Sequence, residues 1–367
     1  MTAPTSQQPP AAPLQVVDLF AGPGGLDVAA RDLKVPVFTG IEWDADACKT
    51  RVAAKLPTTP GDVRHYKPAD FPTANVLAGG PPCQTYTVAG GGAGRRALEE
   101  VLSLAKRMAA REDVTEHLEN LDDERTGLVL EPLRWALAAI DEGRPYKAIV
   151  LEQVPAVLPV WEVVGEALDD EGYSVAYEVL HTEEYGVPQT RRRAILIARL
   201  RTGTGEVVAA MPKATHRRYR KGVPRTEGDP NLLPWVRMGD VLDRQEPFVV
   251  VSNYGTGGDP KARGLRTSAE PSATVTGKIS RNRVVKPDGT ELSPSRITIR
   301  EAGLLQTFPA DHPWSGNGIA QQIGNAIPPR LAAHVLAAAL DLTDDVLAGA
   351  IAAGDGSTTA ELISPHP

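Results

Sequence analysis

The feature that most constrains the fold is a regular alternation of short β-branched runs with helical stretches over the first 200 residues. Such alternation is typical of an α/β sheet that carries helices on both faces. It predicts strands at residues 15–19, 35–41, 75–78, 148–151, 174–179 and 194–198, and helices that begin near Leu26, Asp44, Asp123 and Ala156. The first three strands each end in a turn that contains glycine or an acidic residue, which is where open α/β sheets place ligands.

Two stretches depart from this alternation. Residues 91–122 begin with Gly-Gly-Ala-Gly-Arg-Arg and continue as a charged helical stretch, so we interpret them as an insertion with a mobile start. From 201 to 294 the pattern changes to proline, glycine, arginine and short strands, which predicts a smaller, loop-rich second domain. We expect a disordered leader at 1–13, a catalytic domain at 14–200 completed by 295–342, and a frayed tail at 343–367.

The cysteine count excludes whole classes of protein. Only Cys48 and Cys83 occur, which leaves no room for a disulfide framework or a cysteine-rich zinc site, and we expect no metal. No apolar run approaches the roughly 20 residues of a membrane span, and the start lacks the features of a secretory signal. We therefore expect a location in the reducing cytoplasm. We also expect a monomer.

The charge is distributed unevenly along the chain. The formal net charge is -7, yet residues 191–300 hold 22 Lys and Arg against 10 Asp and Glu. A basic segment in an otherwise acidic protein is typical of a face that binds a polyanion such as nucleic acid. An arginine-rich solvated surface is the alternative interpretation.

Three strand-end turns carry the residue types of a nucleoside site. The turn Asp18-Leu-Phe-Ala-Gly-Pro-Gly-Gly25 has glycines that permit close approach of a ligand, but it matches neither G-x-G-x-x-G nor a phosphate loop. Glu42, in the next turn, is placed where a carboxylate binds a ribose diol, and Trp43 can stack on a purine. The third turn, Gly61-Asp-Val63, can reach the same base. The turns predict a nucleoside site without a pyrophosphate clamp.

Cys83 stands in the most informative stretch, Gly79-Gly-Pro-Pro-Cys-Gln84. Two prolines fix the chain ahead of the thiol, two glycines clear space around it, and a strand end puts it on the ligand-bearing edge. Nearby arginines or a helix N-terminus can lower the pKa of such a thiol from roughly 8.5 and make it a nucleophile. Cys48, within a predicted helix, is better explained as a small buried hydrophobe.

A carboxylate and an arginine pair are predicted at the same edge. Glu152 directly follows the strand at 148–151, where it is either a helix-capping carboxylate or an acid. In Gln189-Thr-Arg-Arg-Arg193, the alternation of a strand places Arg191 and Arg193 on one face and Arg192 on the other. The pair is either solvated or placed to bind phosphate or a base oxygen.

Taken together, these motifs resemble those of the cytosine-C5 DNA methyltransferase family. DLFAGPGG, GIEWD, GDV, GGPPCQ, EQV, QTRRR, RITIREAGLLQTFP and QQIGNAIPP occur in the family's order between residues 14 and 340. The resemblance implies a Rossmann-like class I methyltransferase sheet, a domain that recognises duplex DNA, and S-adenosylmethionine as the methyl donor. It also implies a bacterial or phage-infected cell as the setting.

The resemblance assigns roles to individual residues. Cys83 would add to C6 of a cytosine flipped out of the duplex, and Glu152 would hold the N3 and amino edge. Arg193 would support O2, with Arg191 assisting at the base or backbone. The residues implied for the cofactor are Phe20, Ala21, Gly22, Gly24, Leu26, Glu42, Trp43, Asp62, Val63, Pro82, Asn325 and Ala326. The basic residues implied for DNA are Arg217, Arg218, Arg220, Arg263, Arg266, Lys278, Arg281 and Arg283, with residues 268–276 as a short scaffold.

Two departures from the family pattern matter. Gln153 stands where an asparagine is common, and Thr85-Tyr-Thr87 replaces the usual aromatic-serine pairing after the cysteine. Three other functions stay open. These are methylation of cytosine in tRNA, a catalytically silent DNA-binding protein on the same scaffold, and transfer of a modified methyl group from an altered cofactor.

Overall fold

A computed structural model describes residues 13–35, 37–82, 93–121, 123–202, 207–253 and 264–354. Cys83 and Arg263 lie outside these residues. For Val37, Phe38, residues 93–95 and Glu124 only the backbone is described.

The larger unit is built on a seven-stranded sheet in the order β3-β2-β1-β4-β5-β7-β6. Its strands are parallel except for β7, which runs antiparallel between β5 and β6. The strands are β1 (Gln15–Leu19), β2 (Val37–Glu42), β3 (Thr58–Pro60), β4 (Val76–Gly79), β5 (Ala148–Gln153), β6 (Tyr173–His181) and β7 (Arg192–Leu200). The predicted α/β fold class is confirmed, and six of these strands lie within a few residues of the predicted positions.

Helices cover both faces of this sheet, because alternate strand residues point to opposite sides. Val17 and Leu19 belong to the core shared with α3, α6 and α7, whereas Val16 belongs to the core shared with α1 and α11. The helices that surround this sheet are α1 (Gly25–Asp32), α2 (Ala45–Ala53), α3 (Ala93–Ala109), α4 (Thr115–Glu119), α5 (Glu124–Gly127), α6 (Glu131–Asp141) and α7 (Leu158–Asp170).

The smaller unit contains a four-stranded sheet in the order β11-β10-β8-β9. Its elements are α8 (Met238–Val241), β8 (Val249–Val251), β9 (Leu265–Thr267), β10 (Arg283–Val285) and β11 (Glu291–Arg296). The chain continues with α9 (Ile299–Leu305), α10 (Ile319–Asn325), α11 (Pro329–Leu340) and α12 (Asp344–Gly354). Ala302, Leu305 and Ile323 pack in the core of the smaller unit, so α9 and α10 join the two units while α11 packs on the large sheet.

The structure departs from the expectations in two places. Within 91–122, α3 packs Val101, Leu104 and Ala105 into the main core, since its apolar residues recur at helical spacing. In the tail, residues 344–354 form α12, and Ala350 is buried against the α1 and α11 face. Small alanine side chains permit this close helix packing. The expectation of a frayed tail rested on its acidic start, which gives no sign of the packing. No helix in the described part of the chain combines the length and apolar character of a membrane span.

Candidate active site

The turn after β1 is shaped by backbone conformations that favour glycine. Gly22 and Gly24 have φ angles of 56° and 100°, and Phe20 also adopts a positive φ of 62°. A Cβ on Gly22 would meet no atom within 4 Å, so the space above this residue is open. The Ala21 N–H donates to the carbonyl of Ile41 at 3.1 Å, which ties the turn to the end of β2. Leu26 is buried in the core beneath α1, so only its main chain can face a ligand.

Glu42, at the end of β2, joins two turns at the edge of the sheet. One carboxylate oxygen accepts the Gly22 N–H and the other accepts the Asp44 N–H, each at 2.7 Å. Burial raises the pKa of Glu42, and these two main-chain hydrogen bonds oppose the rise. Each oxygen keeps a further lone pair, so the carboxylate can still accept hydrogen bonds from a diol.

Three further predicted cofactor residues lie beside Glu42. The Trp43 side chain is 71% exposed, so one indole face is available for stacking. Asp62 accepts the Arg64 main-chain N–H at 2.9 Å and forms an ion pair with its guanidinium, and a base edge would have to share that carboxylate. Val63 is buried, and its carbonyl accepts from Arg134 at 3.2 Å.

Arg51 and Asp27 form a buried ion pair beneath this turn that sequence reasoning missed. Two parallel hydrogen bonds of 2.7 Å join the guanidinium to the carboxylate, and both side chains are at most 1% exposed. Arg51 also donates to the carbonyls of Ala21 and Pro57. Burial, followed by the repulsion from Asp27, raises the pKa of the neighbouring Asp18 carboxyl well above its ordinary value. A buried acid and base at helical positions give no local sequence signal.

Glu152 and Arg193 meet at the carboxyl end of β5. Arg193 Nε lies 2.5 Å from Glu152 Oε1, close enough for an ion pair, although the N–H is not aligned with that oxygen. Burial lowers the pKa of Arg193, and the Glu152 charge opposes the decrease. The other carboxylate oxygen lies 3.5 Å from the position that a Cβ on Gly80 would occupy. The predicted acid and arginine are therefore brought together next to the chain that leads to Cys83.

Gln153 holds that chain in place. Its side-chain amide donates to the carbonyl of Pro81, and its amide oxygen accepts the N–H of Val154. Pro82 is half-buried and is the last described residue before Cys83. The longer amide at position 153 therefore braces the segment ahead of the cysteine.

Arg191 and Arg193 share a face and Arg192 is exposed, as the strand alternation predicted. Arg191 is 1% exposed and donates to the carbonyls of Val275, Gly324 and Ala326 at 2.9 to 3.2 Å. Burial, together with nearby Arg193, lowers its pKa well below the ordinary value. These contacts give Arg191 three main-chain partners, and its expected role at the base or backbone stays a prediction.

The segment with Asn325 and Ala326 packs against the start of α1. A Cβ on Gly25 would lie 2.3 Å from the carbonyl oxygen of Ile327, so only glycine fits there. Ala326 is buried, whereas Asn325 is exposed and accepts from Gln321 at 2.7 Å. The predicted C-terminal side of the cofactor pocket is thus adjacent to the turn after β1.

Three glutamine side chains join these motifs, and sequence reasoning assigned them no role. The Gln189 amide donates to Gln306 Oε1 at 2.5 Å, and Gln306 donates to the carbonyls of Ile323 and Ala326. Gln322 accepts from the Thr50 hydroxyl at 2.7 Å. Each glutamine lies inside a motif whose neighbouring residues received the predicted roles. All three are buried, but the sequence alone does not show that burial.

The predicted DNA-contact residues differ in how freely they reach solvent. Arg217 donates to the carbonyl of Asp229 at 2.8 Å, and the Arg266 guanidinium lies 4.5 Å from the centre of the Tyr219 ring. Arg218 contacts His181. The exposed members among the described residues are Arg218, Arg220, Lys278, Arg281 and Arg283. These five are the better candidates for phosphate contact.

The site therefore combines an open glycine turn after β1, the Glu42 carboxylate and an exposed indole with a buried acid and arginine at the end of β5, two strands from β1. The family model for C-5 cytosine-specific DNA methylase matches residues 14–105 and 117–340. The chain belongs to this family. The methylase is accordingly a DNA cytosine-C5 methyltransferase, as the motif series predicted, and only residues 106–116 fall between the matched segments.

Two curated relatives align with the methylase over about nine tenths of its length. It is 26% identical to the type II methyltransferase M1.HphI of Haemophilus parahaemolyticus, covering 90% of this chain and 87% of the relative. It is 24% identical to M.NgoPII of Neisseria gonorrhoeae, covering 89% and 95%. Among solved structures, the Schizosaccharomyces pombe Dnmt2 methyltransferase has a TM-score of 0.59 at 17% identity, covering 89% of this chain and 98% of that chain. That likeness supports the fold.

Proposed function

We propose that the enzyme transfers a methyl group from S-adenosylmethionine to C5 of a flipped cytosine in duplex DNA, through a covalent bond between Cys83 and C6. The order of the strands carries this proposal. β4, which leads to Pro81, Pro82 and Cys83, lies between β1 and β5. The cysteine therefore follows a strand flanked on one side by the glycine turn and Glu42, and on the other by Glu152 and Arg193.

The residues around Glu42 fit the cofactor. The Glu42 carboxylate suits the ribose hydroxyls, the exposed face of Trp43 suits adenine, and the open space over Gly22 suits the methionine part. When bound, S-adenosylmethionine supplies a methyl group made electrophilic by a positively charged sulfur. Asp62, Val63, Pro82, Asn325 and Ala326 complete the proposed pocket, with Phe20, Ala21, Gly24 and Leu26 contributing mainly main-chain atoms.

The thiolate of Cys83 starts the reaction on the base. Its electron pair forms the S–C6 bond, the C5–C6 double bond shifts its electrons to C5, and C5 becomes a nucleophile. C5 would then take the methyl group as the S–CH3 bond breaks, which leaves neutral S-adenosylhomocysteine. Removal of the C5 proton returns an electron pair to the C5–C6 bond and expels the thiolate. No described side chain is assigned to that proton.

Glu152 and Arg193 limit the build-up of negative charge on the ring. Glu152 would donate a proton or a hydrogen bond to N3, which stabilises the negative charge that develops on the ring after attack at C6. Arg193, whose Nε lies beside Glu152, would support O2. Glu152 and Arg193 therefore bind the N3 and O2 edge of the cytosine and stabilise its negative charge.

Duplex DNA is the proposed substrate. A base inside a stacked duplex is inaccessible, so the cytosine must be flipped into the site, and the exposed Lys278, Arg281 and Arg283 would contact the phosphates. We propose that the enzyme acts as a monomer. The type II names of the relatives favour a restriction-modification or phage modification setting.

Bisulfite sequencing of DNA from cells that express the enzyme tests this proposal, because it reports base, position and sequence context together. We expect protected cytosines in one short recognition sequence. In a parallel experiment, the incorporation of labelled methyl groups is measured separately with purified tRNA and with duplex DNA. Incorporation into tRNA alone would contradict the proposal, and a product heavier than methylcytosine by mass spectrometry would favour an altered donor.

A further inference from the structure

Arg191 joins two parts of the chain that are distant in sequence. Nη1 donates to the carbonyl of Val275 at 3.1 Å, and Nη2 donates to the carbonyls of Gly324 and Ala326 at 2.9 and 3.2 Å. The guanidinium is buried, so its charge is stabilised by these carbonyls and not by water. Hydrogen bonds to a charged donor are roughly twice as strong as neutral ones, and Arg191 therefore fixes the spacing between residues 275 and 324–326.

On one side, Arg191 and the two residues before it hold the segment 272–275, which belongs to the smaller unit. The Thr190 N–H donates to the carbonyl of Ser272 at 2.8 Å, and the Thr274 hydroxyl donates to the carbonyl of Thr190 at 2.8 Å. Val275 is buried in the core of the smaller unit, and its N–H donates to Gln189 at 3.0 Å. A displacement of the smaller unit would therefore move the Val275 carbonyl that Arg191 binds.

On the other side, Arg191 holds the segment that packs on the cofactor turn. A Cβ on Gly324 would lie 2.5 Å from the Gly277 nitrogen, so the two segments touch along their main chains. Three residues further on, the Ile327 carbonyl packs against Gly25 at the start of α1. Gln306 binds the Ala326 carbonyl as well, and it accepts from Gln189. Three buried side chains, Arg191, Gln189 and Gln306, therefore connect the smaller unit with the cofactor side.

We propose that Arg191 is a positioning residue that couples cofactor binding to DNA binding. DNA that engages the smaller unit moves or rigidifies the segment 272–277, and Arg191 passes that change to residues 324–327 and the turn after β1. Coupling of this kind is reciprocal and typically changes an affinity by 5- to 150-fold. The inference rests on the proposed function and adds to it a residue that acts without contacting either ligand.

The test is a binding cycle on the full chain with S-adenosylhomocysteine, which cannot react, and a labelled duplex that carries the site found by bisulfite sequencing. Fluorescence anisotropy gives the Kd of the duplex with and without S-adenosylhomocysteine. Calorimetry gives the Kd of S-adenosylhomocysteine with and without the duplex. For the native enzyme we expect each ligand to tighten the other by the same factor, within 5- to 150-fold. Arg191→Lys should bring this factor close to one while each single Kd changes far less.

Two further variants make the result decisive. Thr274→Val keeps the side-chain shape, removes one hydrogen bond on the smaller-unit side, and should reduce the factor less than Arg191→Lys does. Arg199→Lys, at the far end of β7, should leave it unchanged. An unchanged factor in both Arg191→Lys and Thr274→Val would overturn the inference. Independent binding by the native enzyme would overturn it too, whereas failure of the native enzyme to bind either ligand would count against the proposed function.

Discussion

Arg193 Nε lies 2.5 Å from Glu152 Oε1, and the two side chains are 12% and 9% exposed. The pair links β7 to the end of β5, where strands of opposite direction meet. Because the carboxylate forms an ion pair with only one side chain among the described residues and its second oxygen faces Gly80, it can still bind a substrate group. Glu152 is thus the electrostatic partner of Arg193 and, in the proposed mechanism, the group that acts on the N3 edge of the base.

Glu152→Gln keeps the shape of the side chain but removes its charge and its proton. We expect kcat to fall by about 10²- to 10⁴-fold, which is the usual contribution of a positioned acid. Single-turnover methylation at saturating DNA measures the effect on chemistry. The control is Glu162→Gln on the exposed side of α7, which should match the native rate. A native rate for Glu152→Gln would remove this residue from the mechanism.

Gln153→Ala removes the amide that donates to the Pro81 carbonyl. A hydrogen bond of this kind contributes about 0.5 to 1.5 kcal/mol, so we expect kcat to fall roughly 2- to 10-fold while the Kd for cofactor is unchanged. Gln153→Asn shortens the reach and should give an intermediate rate. Gln245→Ala, at an exposed position in the smaller unit, is the control. Equal kcat in all four proteins would show that bracing of Pro81 has no kinetic role.

Removing one partner of the buried Arg51–Asp27 pair leaves an uncompensated charge. We expect Arg51→Met to lower the free energy of unfolding by about 3 to 5 kcal/mol, measured by urea denaturation. The double change Arg51→Met with Asp27→Leu should recover much of that loss, because an apolar pair of similar volume needs no charge partner. The exposed pair of Arg201 and Asp169 provides the control, since Arg201→Met should cost at most about 1 kcal/mol.

The stability of the fold should also depend on pH through Glu183. Burial raises the pKa of this carboxyl to about 7, and one of its oxygens has no hydrogen-bond partner. The folded protein therefore holds the proton more tightly than the unfolded chain does. This stabilisation is complete below the unfolded pKa of about 4.3 and is lost as the pH rises from there to about 7.

Glu183→Gln removes that dependence. Relative to the native protein, its free energy of unfolding should rise by about 1 to 3 kcal/mol between pH 4.5 and pH 8, measured by urea denaturation. The charged groups around Glu183 are Arg218 and Glu184, and burial lowers the pKa of His181 to about 4, so its ionisation falls mostly below this window. The control is Glu178→Gln on the exposed side of β6. Parallel stability curves for native and Glu183→Gln would contradict the assignment.

The parts of the structure that were predicted depend on short-range patterns. β1 and β5 are recognisable from runs of β-branched residues, and Glu42 and Glu152 from their places at strand ends. The pairs that hold the site together are separated by 24 residues for Arg51 and Asp27 and by 117 for Gln189 and Gln306. No local pattern indicates such partners, because each side chain taken alone resembles a surface residue.

The most direct test of the proposed chemistry is covalent trapping by a duplex that carries 5-fluorocytosine at the target position. Fluorine at C5 cannot leave as a proton does, so the complex stops after methylation with the S–C6 bond intact. In the presence of S-adenosylmethionine we expect a denaturation-resistant complex with the native enzyme and none with Cys83→Ser, while Cys48→Ser is trapped like the native protein. A stable adduct in the Cys83→Ser variant, or none in the native enzyme, would contradict the assignment of Cys83 as the nucleophile.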